Sequence, residues 1–322
     1  MKKILLFFAM CIFLTSCYQK EEKVGNVVAS SYIVIEQTTN KIIEGYNYDT
    51  QRSVASISKI MTAILVIENL SLDKKVIVSD DINKAYGSSV YLKIGEQTTV
   101  ERLLYGLMLR SGNDAAIMLA LSVSNSVENF VNLMNQKANQ LNLTNTYFSN
   151  PHGLDEEDNG NISSAYDMAI LYSYCMENQT FSKITSCKEY GGYTNKNKLV
   201  RYYDYCTGGK TGFTKKAKRT LITSASKDNV NLIVVTLNCG NDFETHKNKY
   251  EYYFNNYQAI KILNKGDNYF DNHCINISKD YYFITNLTNV NLFYEIKRKE
   301  KQINITLYDQ NNSVIDYLQV KY

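Results

Sequence analysis

Ser56 and Lys59 are the residues of this sequence with the clearest potential for chemistry. They lie three positions apart, and residues at that spacing share one face of a helix. A serine hydroxyl beside a lysine that accepts its proton is one way to build a nucleophile for acyl transfer. Apolar residues at helical spacing would bury the opposite face: Ile57, Ile60, Met61, Ile64 and Leu65. We predict a nucleophile helix over residues 56–70, with Ser56 in a first turn whose free N–H groups favour negative charge.

Two further motifs distinguish Ser56 from other serines with a lysine three positions on. The pairs Ser71/Lys74 and Ser224/Lys227 have the same spacing and are interpreted as turns with solvated lysines. After Ser56, however, come Ser111-Gly112-Asn113 and then Lys210-Thr211-Gly212. Alone, the first is typical of a helix-ending turn and the second of a strand end, so the order of all three motifs carries the prediction.

The ordered set serine-x-x-lysine, serine-x-asparagine and lysine-threonine-glycine resembles penicillin-binding proteins and class A β-lactamases. The flanking residues 88–96, 104–116, 150–155 and 210–214 are similar to low-molecular-weight D-alanyl-D-alanine carboxypeptidases, serine peptidase family S11. This resemblance covers about residues 31–238. It implies removal of the terminal D-alanine from peptidoglycan stem peptides ending in D-Ala-D-Ala, through an acyl-enzyme that penicillins also form. It implies no cofactor and no metal.

The same resemblance assigns a role to each motif residue. Ser56 would be the acyl nucleophile, Lys59 its general base, and Ser111 the group that passes the proton to the leaving amine. Lys59 can act as a base only if it is neutral, and burial with a nearby Lys210 charge would lower its pKa. Substrate would be bound by Asn113, Lys210, Thr211, Gly212 and Phe213. Within that set, the backbone N–H of Phe213 and that of Ser56 would form the oxyanion hole.

The sequence departs from the family pattern at two places outside these groups. Relatives commonly have alanine-glycine near the start of the strand after the third motif, where this chain has Ala217-Lys218. Relatives also often have a histidine near residues 160–167, which this chain lacks. His152 lies in a turn-rich loop beside Pro151, and we expect it to be structural.

Two other functions are compatible with parts of the same motif set. A β-lactamase would need a glutamate-activated water between the second and third motifs, where Glu156 and Glu157 fall in an acidic loop without the surrounding signature. A catalytically silent peptidoglycan-binding lipoprotein would not need the intact set of catalytic side chains. Covalent labelling by a fluorescent penicillin distinguishes a working serine from a silent binder, and rapid turnover would indicate a β-lactamase.

The N-terminal residues predict that the protein is exported from the cytoplasm. Lys2 and Lys3 precede an apolar run that is too short to span a bilayer, which needs about 20 residues, but suits a secretory signal. The run ends in Leu14-Thr15-Ser16-Cys17, which resembles a bacterial lipobox. We predict a signal peptide at residues 1–16, lipidation of Cys17 and a polar spacer over 17–30. The protein would be lipid-anchored at the extracytoplasmic face of the cytoplasmic membrane.

Composition and residue spacing argue against nucleic-acid binding, a disulfide framework and a metal site. The chain has 322 residues, and its net charge of +3 with a pI near 8.3 is too mild to indicate nucleic-acid binding. The cysteines after Cys17 are odd in number and widely spaced, which does not indicate a disulfide framework, so we predict buried free thiols. The histidines are scattered and no cysteine pair has zinc-site spacing, so no metal site is predicted.

The pattern of elements predicts an α+β fold of the β-lactamase/transpeptidase type, an antiparallel sheet backed by helices, over residues 31–265. Hairpins are predicted around residues 38–40 and 227–229, and strand residues 207–214 would cross the third motif. Helices are predicted over 127–141, after Ser164, and from a capping box at Thr98 and Glu101 through Arg110. A closing helix is predicted over 244–265. The alternation of Ile303, Ile305 and Leu307 predicts a small C-terminal β domain over 266–322.

Overall fold

A five-stranded antiparallel sheet lies at the centre of the chain in this computed structural model, which describes residues 28–155, 160–270, 273–288, 291–299 and 301–322. Elements are numbered in chain order, and the strand order in the sheet is β2-β1-β11-β10-β9. These strands are β1 (Ala29–Glu36), β2 (Ile42–Tyr46), β9 (Cys206–Thr214), β10 (Lys218–Lys227) and β11 (Val230–Cys239). Both predicted hairpins are confirmed. Asp228 and Asn229, which join β10 to β11, have φ of 50° and 65°, as the tight turns that match strand twist require.

Helices cover both faces of this sheet. They are α1 (Lys59–Asn69), α2 (Val100–Tyr105), α3 (Asn113–Ser124), α4 (Val127–Gln140), α5 (Ala165–Met176), α6 (Gln179–Thr185), α7 (Lys198–Tyr202) and α8 (Asp242–Asn256). α5 packs on β11 and β1 from one side, while α8 packs on β10 and β11 from the other. The larger apolar core lies under α1, α3 and α5, and the smaller one lies under α8. The predicted α+β class is therefore confirmed.

Short strand pairs connect the helices. They are β3 (Arg52–Ser53) with β6 (Ile162–Ser163), β4 (Lys75–Ile77) with β5 (Gln97–Thr99), and β7 (Glu189–Tyr190) with β8 (Tyr193–Thr194). The pair formed by β3 and β6 fixes the chain just before Ser56 to the segment that precedes α5. It thereby sets the direction from which the chain enters the nucleophile motif.

The helix caps agree with the sequence at two places and differ at one. The side chains of Ser126 and Ser164 accept hydrogen bonds from the first turns of α4 and α5, at the predicted starts of these helices. The predicted capping box at Thr98 is wrong by one residue, because Thr98 pairs in β5 and Thr99 caps α2. Glu101 instead accepts a hydrogen bond from the Tyr190 hydroxyl.

The predicted helix over 244–265 is wrong in its second half. α8 ends at Asn256, and the chain continues as β12 (Tyr257–Leu263), which pairs with β15 (Tyr281–Asn286). Residues of α8 that bury at helical spacing, Tyr250, Tyr253 and Phe254, lie before that break. Ile260 pairs with Phe283, so tertiary pairing of a β-branched residue decides the local structure here.

The C-terminal segment is built of strands, as predicted. The remaining strands are β13 (Gly266–Phe270), β14 (His273–Ile277), β16 (Phe293–Lys299), β17 (Gln302–Tyr308) and β18 (Val314–Lys321). Ile303, Ile305 and Leu307 are fully buried and alternate along β17, which confirms the predicted strand. They belong to a third apolar cluster that begins at Ile262. The proposed domain boundary at residues 265/266 stays a prediction.

Some sequence predictions concern residues that the structure does not describe. The signal segment 1–16, Cys17, Glu156 and Glu157 lie outside the described residues. No helix in the described ranges is long and apolar enough to cross a membrane.

The cysteines of the described chain are free thiols, and they are Cys175, Cys187, Cys206, Cys239 and Cys274. The prediction of buried thiols is confirmed for Cys175 and Cys239, whereas Cys187 and Cys206 are only half-buried and Cys274 is exposed.

Candidate active site

Ser56 lies in a single 3₁₀ turn, Ala55–Ser58, that leads directly into α1. Residues i and i+3 eclipse in a 3₁₀ turn, so the hydroxyl of Ser56 and the amine of Lys59 face each other. Their Oγ and Nζ atoms are 3.0 Å apart. Ala55, just before the serine, has φ of 51°, a left-handed conformation that costs energy in a residue other than glycine. The predicted pairing of Ser56 with Lys59 is thus present, although the α-helix itself begins at Lys59.

Lys59 is 0% exposed and lies among hydrogen-bond acceptors. Its Nζ is 2.7 Å from Asn113 Oδ1 and also contacts the carbonyl oxygen of His152. Burial lowers the pKa of Lys59 well below its ordinary value, and the charges of Lys210 and Lys196 lower it further. A neutral amine has two N–H groups and one lone pair. When Lys59 is neutral, the amide and carbonyl oxygens can take its two N–H groups, which leaves the lone pair for the Ser56 hydroxyl proton.

Ser111 is held at the end of an unusual helix segment. The chain from Gly106 to Arg110 forms a single π-helical turn after α2, and Ser111 follows with φ of 65°. Such turns widen a helix locally and occur often at functional sites. The Oγ of Ser111 accepts a hydrogen bond of 3.0 Å from Lys210 Nζ. The second and third motifs therefore meet through these two side chains.

Lys210 is supplied by β9, the edge strand of the central sheet. It is 1% exposed, and its Nζ also donates to the carbonyl of Thr211, 2.7 Å away. Burial, followed by the charge of Lys196, lowers the pKa of Lys210 to about 7. Lys210 therefore changes its charge near neutral pH.

Asn113 begins α3 and holds Lys59 in place. Its Oδ1 accepts from Lys59, and its Nδ2 donates to the carbonyl of Tyr86 at 2.5 Å. Asn113 is buried, so its amide orients the lysine. The predicted contact of Asn113 with substrate stays a prediction.

At Gly212, strand β9 packs closely against the 3₁₀ turn that contains Ser56. A Cβ on Gly212 would lie 3.0 Å from the Ser56 backbone nitrogen and 2.3 Å from Thr220 Oγ1. Only glycine allows this approach. The predicted oxyanion donors, the N–H groups of Ser56 and Phe213, thus come from two elements in contact. Thr211 is half-buried and the Phe213 side chain is 64% exposed, so both remain accessible at the strand edge.

Sequence reasoning missed the role of the loop around His152. The loop carbonyl of His152, and not its ring, contacts Lys59. The Asn150 side chain fixes the loop by accepting from the backbone nitrogens of His152 and Gly153 at 3.2 and 2.6 Å. Gly153 has φ of 81°, and a Cβ there would lie 2.1 Å from the Ala55 carbonyl. The sequence signal that could have indicated this loop is the presence of Asn150 and Gly153 within residues 150–155, which resemble the family.

The His152 ring agrees with its predicted structural role. It is buried, and its Nδ1 accepts from the Leu154 backbone nitrogen at 3.2 Å. Burial, helped by the charge of Lys59, lowers the pKa of His152 to about 3. The ring is therefore neutral at physiological pH.

Lys196 is a third basic group of the site that no motif indicated. Its charge lowers the pKa of both Lys59 and Lys210. Its Nζ is 3.1 Å from Ser88 Oγ, and the Ser88 carbonyl accepts from the Asn113 backbone nitrogen at 2.7 Å. Lys196 comes from the loop between β8 and α7, which precedes the strand of Lys210 and is far in sequence from Lys59.

No group of three or more potential metal ligands occurs among the side chains that the structure describes. The groups that the site does bring together are serine hydroxyls, lysine amines and backbone N–H and C=O groups. These are the elements of acyl transfer through a covalent serine intermediate.

Comparison with known proteins gives consistent results. A family model described as D-alanyl-D-alanine carboxypeptidase matches residues 18–241. D-alanyl-D-alanine carboxypeptidase DacF of Bacillus subtilis is 39% identical over 223 residues, covering 64% of this chain and 56% of that protein. DacC of Escherichia coli, with the same enzyme name, is 35% identical and covers 72% of this chain and 62% of that protein. The chain thus spans less than two thirds of the length of these curated relatives.

Solved structures show the same fold. Penicillin binding protein 6B of Escherichia coli has 26% identity and a TM-score of 0.75, covering 91% of this chain and 95% of that chain. Penicillin binding protein 5 of Haemophilus influenzae has a TM-score of 0.80 at 24% identity, covering 92% and 96%. The predicted transpeptidase-like fold is confirmed.

Proposed function

The chain belongs to the D-alanyl-D-alanine carboxypeptidase family, serine peptidase family S11, and from this we propose that it removes the terminal D-alanine from peptidoglycan stem peptides. The observation that best supports this proposal is the distance of 3.0 Å between the Ser56 hydroxyl and the buried amine of Lys59. The reaction is hydrolysis through an acyl-enzyme on Ser56.

In the first step, Ser56 Oγ attacks the carbonyl carbon of the D-Ala-D-Ala bond. The Oγ–C bond forms while the hydroxyl proton moves to Lys59 Nζ. The oxyanion of the tetrahedral intermediate is stabilised by the backbone N–H groups of Ser56 and Phe213. Collapse breaks the C–N bond, and the proton taken up by Lys59 passes through the Ser111 hydroxyl to the departing amine of D-alanine, which leaves Lys59 neutral and Ser111 protonated. Water then hydrolyses the acyl-enzyme and restores the Ser56 hydroxyl.

Lys210 and Thr211 recognise the end of the substrate. The ammonium of Lys210 and the hydroxyl of Thr211 bind the terminal carboxylate, which distinguishes a chain end from an internal peptide bond. Gly212 allows the substrate backbone to lie close to β9. A penicillin carries a carboxylate and an acylating carbonyl, so it acylates Ser56 through the same groups and inhibits the enzyme.

A fluorescent penicillin tests the nucleophile. We expect covalent labelling of Ser56, detected by gel fluorescence and peptide mass spectrometry, together with release of D-alanine from a D-Ala-D-Ala peptide. Ser56→Ala should abolish both. Ser58→Ala is the matched control, because the Ser58 hydroxyl is in the same turn but bonds the Ala55 carbonyl at 2.8 Å.

Each alternative function predicts a different result. A protein that folds but is never labelled would be a silent peptidoglycan binder. Rapid release of hydrolysed penicillin would indicate a β-lactamase. Stable labelling without D-alanine release would contradict the carboxypeptidase assignment while keeping the acyl-enzyme.

The localisation is a separate part of the proposal. The residues Leu14-Thr15-Ser16-Cys17 support cleavage before Cys17 and its lipidation, which would tether the enzyme outside the cytoplasmic membrane. Cys17→Ala should release the protein from membranes or leave its signal uncleaved. Cys11→Ala, in the same apolar run, is the control and should leave anchoring unchanged. A correctly processed Cys17→Ala protein that still needs detergent for release would contradict lipid anchoring.

A further inference from the structure

The carboxylate of Asp155 contacts the two segments that carry the proposed oxyanion donors. Its Oδ1 accepts a hydrogen bond of 3.0 Å from the Ser53 hydroxyl, and its Oδ2 accepts one of 3.3 Å from the Lys216 backbone nitrogen. Ser53 precedes Ser56 by three residues, and Lys216 follows Phe213 by three residues. Each carboxylate oxygen therefore holds the segment of one donor N–H group.

The segment between Ser53 and Ser56 has little freedom to absorb a displacement of Ser53. Ser53 is paired in β3, and the backbone nitrogen of Val54 donates to the Asn161 carbonyl at 3.2 Å. Ala55 follows in its left-handed conformation, with φ of 51°, and Ser56 then belongs to the 3₁₀ turn. A movement of Ser53 is therefore passed on to the backbone N–H of Ser56.

The second segment is the turn that joins β9 to β10. Thr214, the last residue of β9, pairs with Lys218, and the Ala217 backbone nitrogen donates to Thr214 Oγ1 at 3.0 Å. Because β9 is an edge strand, its end is supported by a neighbouring strand of the described sheet on one side only. A contact to Lys216 in the turn therefore affects the position of the Phe213 N–H group.

Asp155 is itself held in place from a third direction. Its backbone carbonyl accepts a hydrogen bond of 3.3 Å from the Tyr86 hydroxyl. The carbonyl of the preceding residue, Leu154, accepts one of 3.1 Å from Asn150 Nδ2, and Asn150 is the residue whose side chain fixes this loop. The Asp155 side chain thus connects both oxyanion segments to a loop with its own supports.

A second bridge between the same segments makes the contribution of Asp155 separable from folding. On the buried side, Thr220 Oγ1 on β10 donates to the Val54 carbonyl at 3.0 Å, and Thr220 pairs with Gly212. Thr220 is 0% exposed, whereas Asp155 is half-buried. Loss of the Asp155 carboxylate should therefore shift the two segments slightly without unfolding the protein.

We propose that Asp155 is a positioning residue of the oxyanion hole, which sets the separation between the N–H groups of Ser56 and Phe213. Such donors act best about 2.7–3.1 Å from the place where the negative oxygen develops. A displacement of about 1 Å can cost about 10²-fold in rate. The proposal rests on the proposed acyl transfer at Ser56, whether the acyl group comes from a D-alanyl substrate or from a penicillin.

The probes are two esters of an N-acylated D-alanine with D-lactate, which keep the terminal carboxylate and differ only in their acyl carbonyl, C=O or C=S. Sulfur accepts hydrogen bonds more weakly than oxygen, so the ratio of kcat/KM for the oxygen ester to that for the sulfur ester reports on the oxyanion hole. Asp155→Ala should lower this ratio about fivefold and kcat/KM for the oxygen ester about tenfold, less than the 10²–10³-fold for removal of a whole donor. Asp155→Asn should retain most of the wild-type ratio, because its amide can accept from Lys216 and donate to the Ser53 hydroxyl.

Asp167→Ala is the matched control. The Asp167 carboxylate also accepts from one backbone nitrogen, that of Asn145 at 2.8 Å, and from one hydroxyl, that of Thr146 at 2.7 Å. Neither donor lies in a segment with a proposed oxyanion N–H, so the control should lower the free energy of unfolding and leave the oxygen-to-sulfur ratio unchanged. Asp167→Asn takes its place if the alanine variant does not fold. A wild-type ratio in Asp155→Ala, or an equal fall in both variants, would overturn the proposal.

Ser53→Ala removes only one of the two contacts of Asp155 and decides the proposal if Asp155→Ala does not fold. Its oxygen-to-sulfur ratio should fall, and an unchanged ratio would contradict the positioning role. Single-turnover acylation by a penicillin separates this proposal from the carboxypeptidase assignment. A wild type that cleaves neither ester but is acylated by penicillin would contradict the carboxypeptidase, and slower acylation of Asp155→Ala would then still support the positioning role. Absence of acylation in the wild type would overturn both.

Discussion

At the scale of single residues, the surroundings of Lys59 suit a base better than a fixed positive charge. Lysine loses its proton when burial lowers its pKa, whereas arginine effectively never does. Lys59→Arg should therefore acylate nearly as slowly as Lys59→Ala, with a loss of at least about 10²-fold. Single-turnover acylation by a penicillin and by a D-Ala-D-Ala peptide, on folded protein, measures this.

The pH profile gives the second readout for Lys59. Since the base must be neutral, the wild-type acylation rate should rise with pH through the lowered pKa of Lys59. That limb should be absent in Lys59→Arg. An arginine variant within about threefold of the wild-type rate would exclude Lys59 as the obligatory base, because general-base loss is far larger.

Lys210 provides a prediction about substrate recognition. Lys210→Ala should lose the terminal carboxylate contact, a change of roughly 1.5–3 kcal/mol for a hydrogen bond to a charged group. Lys210→Arg keeps the charge and should retain part of the activity. The measurement is kcat/KM for free-acid and amidated peptides, and an unchanged preference in Lys210→Ala would refute the assignment.

The sequence predicted the side chains that the structure brings together at the site, but not the groups that surround them. Motif order was sufficient to single out Ser56, Lys59, Ser111 and Lys210. The His152 carbonyl was missed because a backbone atom has no residue-type signal. Lys196 was missed because its effect acts through space from a loop that no motif marks.

At the scale of elements, the turn between β9 and β10 contains a residue in a left-handed conformation. This residue is Lys218, whose φ is 58°. A left-handed conformation costs a side-chain-bearing residue about 1–2 kcal/mol, partly offset by the backbone entropy of glycine. Lys218→Gly should therefore raise the free energy of unfolding by about 0.5–1 kcal/mol.

Urea denaturation checks this prediction. Lys215→Gly is the control, because the exposed Lys215 lies in the same turn and is not among the residues with positive φ. It should lower stability through the added freedom of the unfolded chain. A loss of stability in Lys218→Gly equal to that in Lys215→Gly would refute the strain argument.

Elements with regular apolar spacing were predicted well, and those decided by long-range pairing were not. The helices after Ser126 and Ser164 carry both caps and periodic burial in their own sequence. β12 becomes a strand only because β15 lies beside it, and its residues follow a helix without a glycine or proline between them. The π-helical turn before Ser111 likewise has no local sequence rule.

At the scale of the whole molecule, the face of the sheet opposite the catalytic motifs contains a buried histidine. His246 on α8 is 2.7 Å from Thr223 Oγ1 and 3.0 Å from Thr236 Oγ1. Burial lowers its pKa from 6.5 to about 3. Between these values the unfolded chain binds a proton that the folded protein does not, so stability decreases as pH falls through this window.

His246→Gln should reduce that dependence, since glutamine keeps a donor and an acceptor without titrating. The slope of unfolding free energy against pH should decrease by up to about 1.4 kcal/mol per pH unit between pH 4 and 6. Chemical denaturation across pH measures it. His273→Gln, at an exposed position, should match the wild type, and an unaltered slope in His246→Gln would contradict the prediction.

The two buried lysines impose opposite requirements on the acidity of the surroundings. A substrate carboxylate beside Lys210, whose pKa is about 7, would raise that pKa, so binding takes up part of a proton from solution. Affinity should then fall as the medium becomes alkaline, while the proton-accepting capacity of Lys59 increases. Departure of the free D-alanine would return the proton to the solvent. The turnover of one peptide end is therefore also a small cycle of proton capture and release.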